Sequence, residues 1–319
     1  MAISYDRIIA STPFKFLVGQ DRKLFTVHAA LVAHHSESLS VLVDGHMLEA
    51  NEGCALLEDV DEYTFVRFGQ YAYTGDYIAA DPDIVLDSSI IATTSSAPDD
   101  AAHNQADLNV AAPHPDPENL AELAPVADGR LDDSWSWGVT KKDKKKGKKV
   151  RAYPFDEAAE SLKDAGPESK TVRSKRLELW DDFRGKSYAI SAPSFQPRRN
   201  SETCEDYTEV FLCHARLYVF ADKYDIDTLK RLSLYKLQRT LAIFTLYNER
   251  VGDIVELMRY SYSNTADRSG TIDDLRLLVI HYAACVVEDL IQSAQFQSLL
   301  EDIGQLARDL IGQMLKRLD

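Results

Sequence analysis

Cysteine, histidine and carboxylate side chains bind metals and drive most acid, base and nucleophilic chemistry, so their spacing is where an activity would show first. The four cysteines, Cys54, Cys204, Cys213 and Cys285, are scattered and form no C-x-x-C pair. Zinc asks for about four well-placed nitrogen or sulfur donors. The adjacent His34 and His35 lack a third ligand at usable spacing, and Cys204, Cys213 and His214 form no recognisable set with Cys54. Gly185-Lys186-Ser187 imitates the end of a phosphate-binding loop, but Trp180 stands where that loop's first glycine belongs, and no strand is expected before it. No G-x-S-x-G occurs, and no carboxylate pair stands in an apolar setting. The expectation is a chain with no catalytic residues, no metal site and no cofactor, and so not an enzyme.

Two segments could instead act by contact. Met47-Leu48-Glu49 sets an apolar residue two places before a carboxylate, and Lys141, Lys142, Lys144, Lys145, Lys146, Lys148 and Lys149 crowd into one short run. The first reads as a contact element or as an ordinary loop between a helix and a strand. The second reads as a nuclear-import signal, as a non-specific nucleic-acid patch, or as solvated charge balancing the acidic tract before it. No aromatic residue interleaves with the lysines, which disfavours stacking on bases, so nucleic acid is not the expected partner. Trp135, Trp137 and Trp180 lie in a polar tract, where exposed aromatics can serve as short partner-binding motifs.

The elements that would position these residues follow from local pattern. Phe14, Phe16 and Val18 alternate as on one face of a strand that Gly19 ends, and Leu24-Phe25-Thr26-Val27 makes a second strand running into His28. His28 then starts a helix, where a packed, hydrogen-bonded structural role is expected. Ser36 suits the N-cap of a helix carrying Leu39, Leu42 and Val43. Cys54 to Val60 reads as a third strand; Asp61 can cap a helix carrying Phe65, Phe68 and Ala72, and Gly75 can end it in the left-handed region. The order is hairpin, helix pair, strand, helix.

Val27-His28-x-x-Leu31 with Ser36, then Met47-x-Glu49, Leu57-x-Asp59-Val60 and Tyr73-Thr74-Gly75-Asp76-Tyr77, resembles a BTB/POZ domain. With Asp44-Gly45 before Met47 and Gly75-Asp76-Tyr77 at the end, it is most similar to the fungal single-BTB proteins. The resemblance implies a protein-interaction module in which Met47, Leu48 and Glu49 contact a cullin scaffold. Leu217-x-x-Phe220-Ala221-Asp222-Lys223-Tyr224-x-Ile226-x-x-Leu229 resembles the helix pair that completes such a domain. Two departures matter. Pro13 and Ala29 stand where transcription-factor members carry an acidic and a basic residue, so a charged co-repressor pocket is not expected. About a dozen residues precede Phe14, too few for the long helix of the strand-swapped dimer; a monomer, or pairing through C-terminal helices, is expected instead.

Composition bounds the rest. Apolar content of 45% can supply a core, and the longest apolar run, Leu277 to Val287, is interrupted by His281 and too short for a membrane span. No signal peptide and no Asn-x-Ser/Thr sequon is read, and with scattered cysteines the expected place is intracellular, in cytoplasm or nucleus. The net charge of −15 is uneven: residues 81–133 hold twelve carboxylates and one arginine, which leaves −4 for the rest. Residues 80–206 are Ala, Pro, Asp and Ser rich and then lysine rich, too polar to offset chain entropy, and read as disordered, with transient helix at Phe155–Lys163 or Lys170–Phe183. Lengthening a loop from about ten to about 125 residues costs roughly 2 kcal/mol of closure entropy, so such a tract can interrupt a domain.

The expected fold class is α+β: a BTB/POZ-like small sheet flanked by helices (1–79), a long disordered insertion (80–206), the completing helix pair (207–243) and a helical C-terminal region (244–319). Helices are expected there over Val251–Ser261, Asp273–Leu290 and Leu299–Leu318. The expected function is a non-enzymatic adaptor or scaffold, with a cullin-type ubiquitin ligase as its assembly. The alternative is a nuclear regulatory scaffold pairing with another BTB domain, and an enzyme of unknown type is a distant third.

Overall fold

The apolar alternation at Phe14, Phe16 and Val18 produces the centre of a small mixed sheet. Strand β1 (Pro13–Val18) pairs antiparallel with β2 (Lys23–His28) and parallel with β3 (Cys54–Leu57), giving the order β2-β1-β3. All three alternating residues are buried, with Ala55 and Leu57 beside them, and Gly19 turns the chain at φ +75°. The computed structural model describes residues 3–45, 48–85, 175–188, 195–267 and 270–316, with Leu48 as backbone only. They belong to the unit formed by Met1–Asp87 and Ala152–Asp319.

Helices cover the sheet. A short α1 (Tyr5–Ala10) precedes it and buries Ile8; α2 (Ala29–His35) and α3 (Glu37–Asp44) follow the hairpin as a pair. Ser36 caps α3 by accepting from the Leu39 amide at 2.9 Å. A five-residue α4 (Leu48–Glu52), unforeseen in the sequence, leads to Gly53 at φ +64° and so into β3. The third strand stops at Leu57 rather than Val60, because Val60 donates back to the Leu57 carbonyl in a turn. Asp61 then caps α5 (Glu62–Thr74), which ends at Gly75 with φ +76°.

The chain next makes a two-residue strand, β4 (Asp83–Ile84), whose antiparallel partner is β5 (Glu205–Asp206), and Val85 donates to the Cys204 carbonyl at 2.8 Å. The two ends of the long intervening tract are thus clasped together. Part of the tract expected to be disordered over 80–206 is folded. Within it α6 (Lys175–Gly185) buries Leu179, Trp180 and Phe183, and residues 195–206 are fixed by side-chain bonds. Asn200 donates to the Thr245 carbonyl at 2.8 Å and accepts from the Thr245 amide at 2.7 Å. Residues 86–174 lie outside the described residues.

Two long helices, α7 (Thr208–Lys223) and α8 (Asp227–Ile243), join the halves of the molecule. Leu217, Phe220, Ala221, Leu229 and Leu232 complete the core under the sheet, where the Phe68 and Phe220 rings meet at 4.8 Å. Phe211, Ala215, Tyr218, Leu237 and Leu241 face a second core with α6 and the C-terminal helices. A helix buried on both sides reads apolar almost all round, and ten of the sixteen α7 residues are buried.

The C-terminal region is more broken than its periodicity implied. Val251–Asn264 is one helix, α9, but the expected Asp273–Leu290 helix divides at Val286 into α10 (Asp274–Cys285) and α11 (Val287–Leu290). Val286 donates to Ala283, three residues back, and the freed Cys285 carbonyl accepts from Arg176 of α6 at 2.9 Å. The expected Leu299–Leu318 helix divides likewise at Ile303 (φ −119°, ψ 81°) into α12 (Ala294–Asp302) and α13 (Gly304–Leu315), turning Leu306 and Leu310 onto the core. The architecture is α+β, mostly helical, with one small mixed sheet and a two-strand clasp. Among the described residues no helix is long and apolar enough to cross a membrane.

Candidate interaction surface

Of the predicted contact element, Met47 lies outside the described residues, Leu48 opens α4, and Glu49 sits half-buried in its first turn. A carboxylate there meets the amide end of the helix, where negative charge is favoured. The segment is anchored behind by the sheet: Lys15 of β1 donates to the Gly53 carbonyl at 3.0 Å. The lysine run, Lys141 to Lys149, lies outside the described residues, as do Trp135 and Trp137. Trp180 does not serve as an exposed motif. It is 5% exposed, stacks on Phe183 at 5.5 Å and meets Tyr282 at 6.1 Å.

The small-sheet half also leaves apolar groups in solvent. Tyr63, Val66 and Tyr73 share one side of α5 at helical spacing, and all three are exposed. On the outer face of the sheet Leu17 stands opposite Leu24 on one side and Leu56 on the other, so the three leucines make a row across all strands. Leu24 and Leu56 are about half exposed.

The residues with chemical potential are occupied structurally. His28 stands at the N-cap of α2 with Nδ1 2.8 Å from the Tyr73 hydroxyl. The His35 Nε2 lies 3.1 Å from the Ala72 carbonyl, and burial lowers its pKa. Cys213 donates to the Val210 carbonyl, and burial raises its thiol above the ordinary range, making it a poor nucleophile. Gly185 ends α6, with Lys186-Ser187 running out of a helix rather than into one, the reverse of a phosphate loop. Among the described residues no three His, Cys, Asp or Glu side chains converge as a metal would require.

One polar cluster escaped the sequence reading. Lys236 of α8 is 2% exposed, with Nζ 2.5 Å from an Asp76 carboxylate oxygen and 2.5 Å from the Tyr77 carbonyl. The same ammonium stands 4.2 Å from the Tyr77 ring centre and 4.8 Å from that of Phe195. Tyr77 in turn bonds through its hydroxyl to His214 Nδ1 at 2.7 Å. Burial, reinforced by the positive Lys236 and Arg67, pulls the His214 pKa down to about 3. The cluster locks residues on either side of the inserted tract to the helix pair, and a buried lysine sandwiched between rings has no signature in spacing.

Compared with known proteins, the chain matches no family model and no curated protein.

Proposed function

We propose that this chain is a non-enzymatic adaptor built on a BTB/POZ-like domain, whose segment Met47-Leu48-Glu49 engages a cullin-type scaffold. The observation that carries the reading is the way the core under the β2-β1-β3 sheet is finished by Leu217, Phe220 and Leu229, from beyond the inserted tract. Hairpin, helix pair, strand, helix and a late-arriving helix pair follow the order that the sequence resemblance implies. The exposed stripe on α5 and the leucine row on the sheet supply further apolar surface for a partner.

The test is titration of the purified full chain with a cullin N-terminal domain, beside a Met47→Ala, Glu49→Ala double variant. Micromolar or tighter binding that the variant loses by at least about tenfold, about 1.4 kcal/mol, is the expected result. Absence of binding by the unaltered chain removes the cullin part of the reading.

A second reading, a nuclear scaffold pairing with other BTB-like domains, is favoured by the Lys141–Lys149 run. Replacing Lys144, Lys145 and Lys146 with Ala would abolish nuclear accumulation of a fluorescent fusion if that reading holds.

A further inference from the structure

The β2-β1-β3 sheet ends on one side at β2. The Lys15 and Gly19 amides donate to the Gly53 and Leu57 carbonyls, and the Ala29 amide donates to the Thr12 carbonyl. By alternation the even-numbered amides of β1 face β2, and Lys23, Phe25 and Val27 face back to them. Leu24, Thr26 and His28 therefore turn their backbone N–H and C=O groups away from the sheet. The His28 amide is met by the Tyr73 hydroxyl at 3.5 Å. Among the described residues, nothing hydrogen-bonds the backbone of Leu24 or Thr26.

Natural sheets blunt such an edge with proline, a bulge or a free charge. Strand β2 has no proline, and its register with β1 runs without a bulge from Lys23 to His28. The nearby charges are already engaged, Lys23 with Glu62 and Arg22 with Glu58. Glu62 and Tyr73 both reach β2 from α5, so the exposed side of that helix lies beside the open edge.

A row of open backbone donors and acceptors accepts one chemistry, another extended strand. Strand β2 is its own complement. About a two-fold axis at Phe25, the outward groups of Leu24 in one copy meet those of Thr26 in the other, and the reverse. The two Phe25 side chains then stand opposite each other at a non-hydrogen-bonded pair, where aromatic partners are favourable. Lys23 falls opposite Val27, so no like charges meet. On the outer face Leu24, 56% exposed, comes to lie against Thr26 of the second copy.

We propose that two copies of this chain associate through β2, edge to edge and antiparallel, making one continuous sheet. The inference is independent of the adaptor reading, since it concerns the sheet edge and not Met47-Leu48-Glu49. Pairing over so short a strand buries little surface, which makes the dimer reversible rather than permanent.

The test is sedimentation equilibrium of the full chain at micromolar concentrations, where a reversible monomer–dimer equilibrium is expected. Thr26→Pro deletes an outward amide that the sheet does not use, and Leu24→Lys sets a charge on the edge. Each should weaken the dimer at least about tenfold. Urea unfolding at submicromolar concentration verifies the fold of each variant, and Leu24→Lys carries the test if Thr26→Pro does not fold. Leu315→Glu, at an exposed position of α13, should leave the dimer unchanged. Three results overturn the proposal. They are a monomer at every concentration, a dimer that a folded edge variant leaves unweakened, and a dimer that Leu315→Glu removes. The last would assign pairing to the C-terminal helices.

Discussion

His214 and Lys236 show how a single side chain can hold distant sequence together. The unfolded imidazole titrates near its ordinary value of 6.5, whereas the folded one is held neutral down to about 3. A folded-state pKa below the unfolded one gives stability that is complete above about 6.5 and drains away as pH falls toward 3. Between pH 7 and 5 this amounts to about 2 kcal/mol for so thoroughly buried a group. Asp253 works in the opposite sense. Burial raises its carboxyl to about 6, so its contribution is present at low pH and lost as pH rises through 6. Urea unfolding of a Asp253→Asn chain should therefore show a steeper acid loss than the unaltered chain, and a His214→Gln chain a shallower one. An unchanged slope in His214→Gln would refute the assignment. Replacing Lys236 with Met would leave the buried Tyr77 carbonyl without its donor and the partly exposed Asp76 carboxylate without its ion pair, at a cost of about 1–3 kcal/mol in the same assay.

At the scale of the element, capping was legible because it is local. Ser36, Asp61 and Gly75 each act within four residues of their own position, and each does what its residue type foretells. The helix expected as transient over Lys170–Phe183 is the packed α6, and its packing was not legible because only Leu179, Trp180 and Phe183 of its eleven residues are buried and its charged majority resembles a solvated tract. Its order comes from tertiary partners. The Gln238 side-chain amide donates to the Phe183 carbonyl, and His281 Nε2 lies 3.0 Å from the Leu179 carbonyl. The breaks at Val286 and Ile303 were invisible for the converse reason, since the apolar pattern runs straight through both. Truncating Phe183 to Ala should destabilise the protein by about 3–5 kcal/mol, as for other fully buried aromatics. An effect below about 1 kcal/mol, the scale of a surface change, would mean that α6 does not pack as described.

For the molecule as a whole, the sequence revealed that a long polar tract interrupts the fold, but not how its ends are managed. Two-residue strands carry too little pattern to read, yet β4 and β5 bring residues 84 and 205 side by side. Arg198 pairs with the buried Glu205, which also accepts from the Ser201 amide at 2.6 Å. With the ends joined in this way, the closure entropy of the tract falls on the clasp and on the Lys236 cluster rather than on the sheet or the helix pair. The contact element was legible only as a motif, because three residues in a loop have no periodicity, and the described structure fixes just Glu49 of its side chains.

The central claim is that the residues on both sides of the tract make one folded body, its sheet core completed by α7 and α8. Replacing residues 88–151 with a short Gly/Ser linker and measuring urea unfolding tests it most directly. The account predicts a folded chain with a midpoint at least as high as the unaltered protein, because halving a closed loop lowers its entropic cost by roughly 0.6 kcal/mol. Loss of the folded state, or separate unfolding of the sheet half and the C-terminal half at widely different urea concentrations, would contradict it.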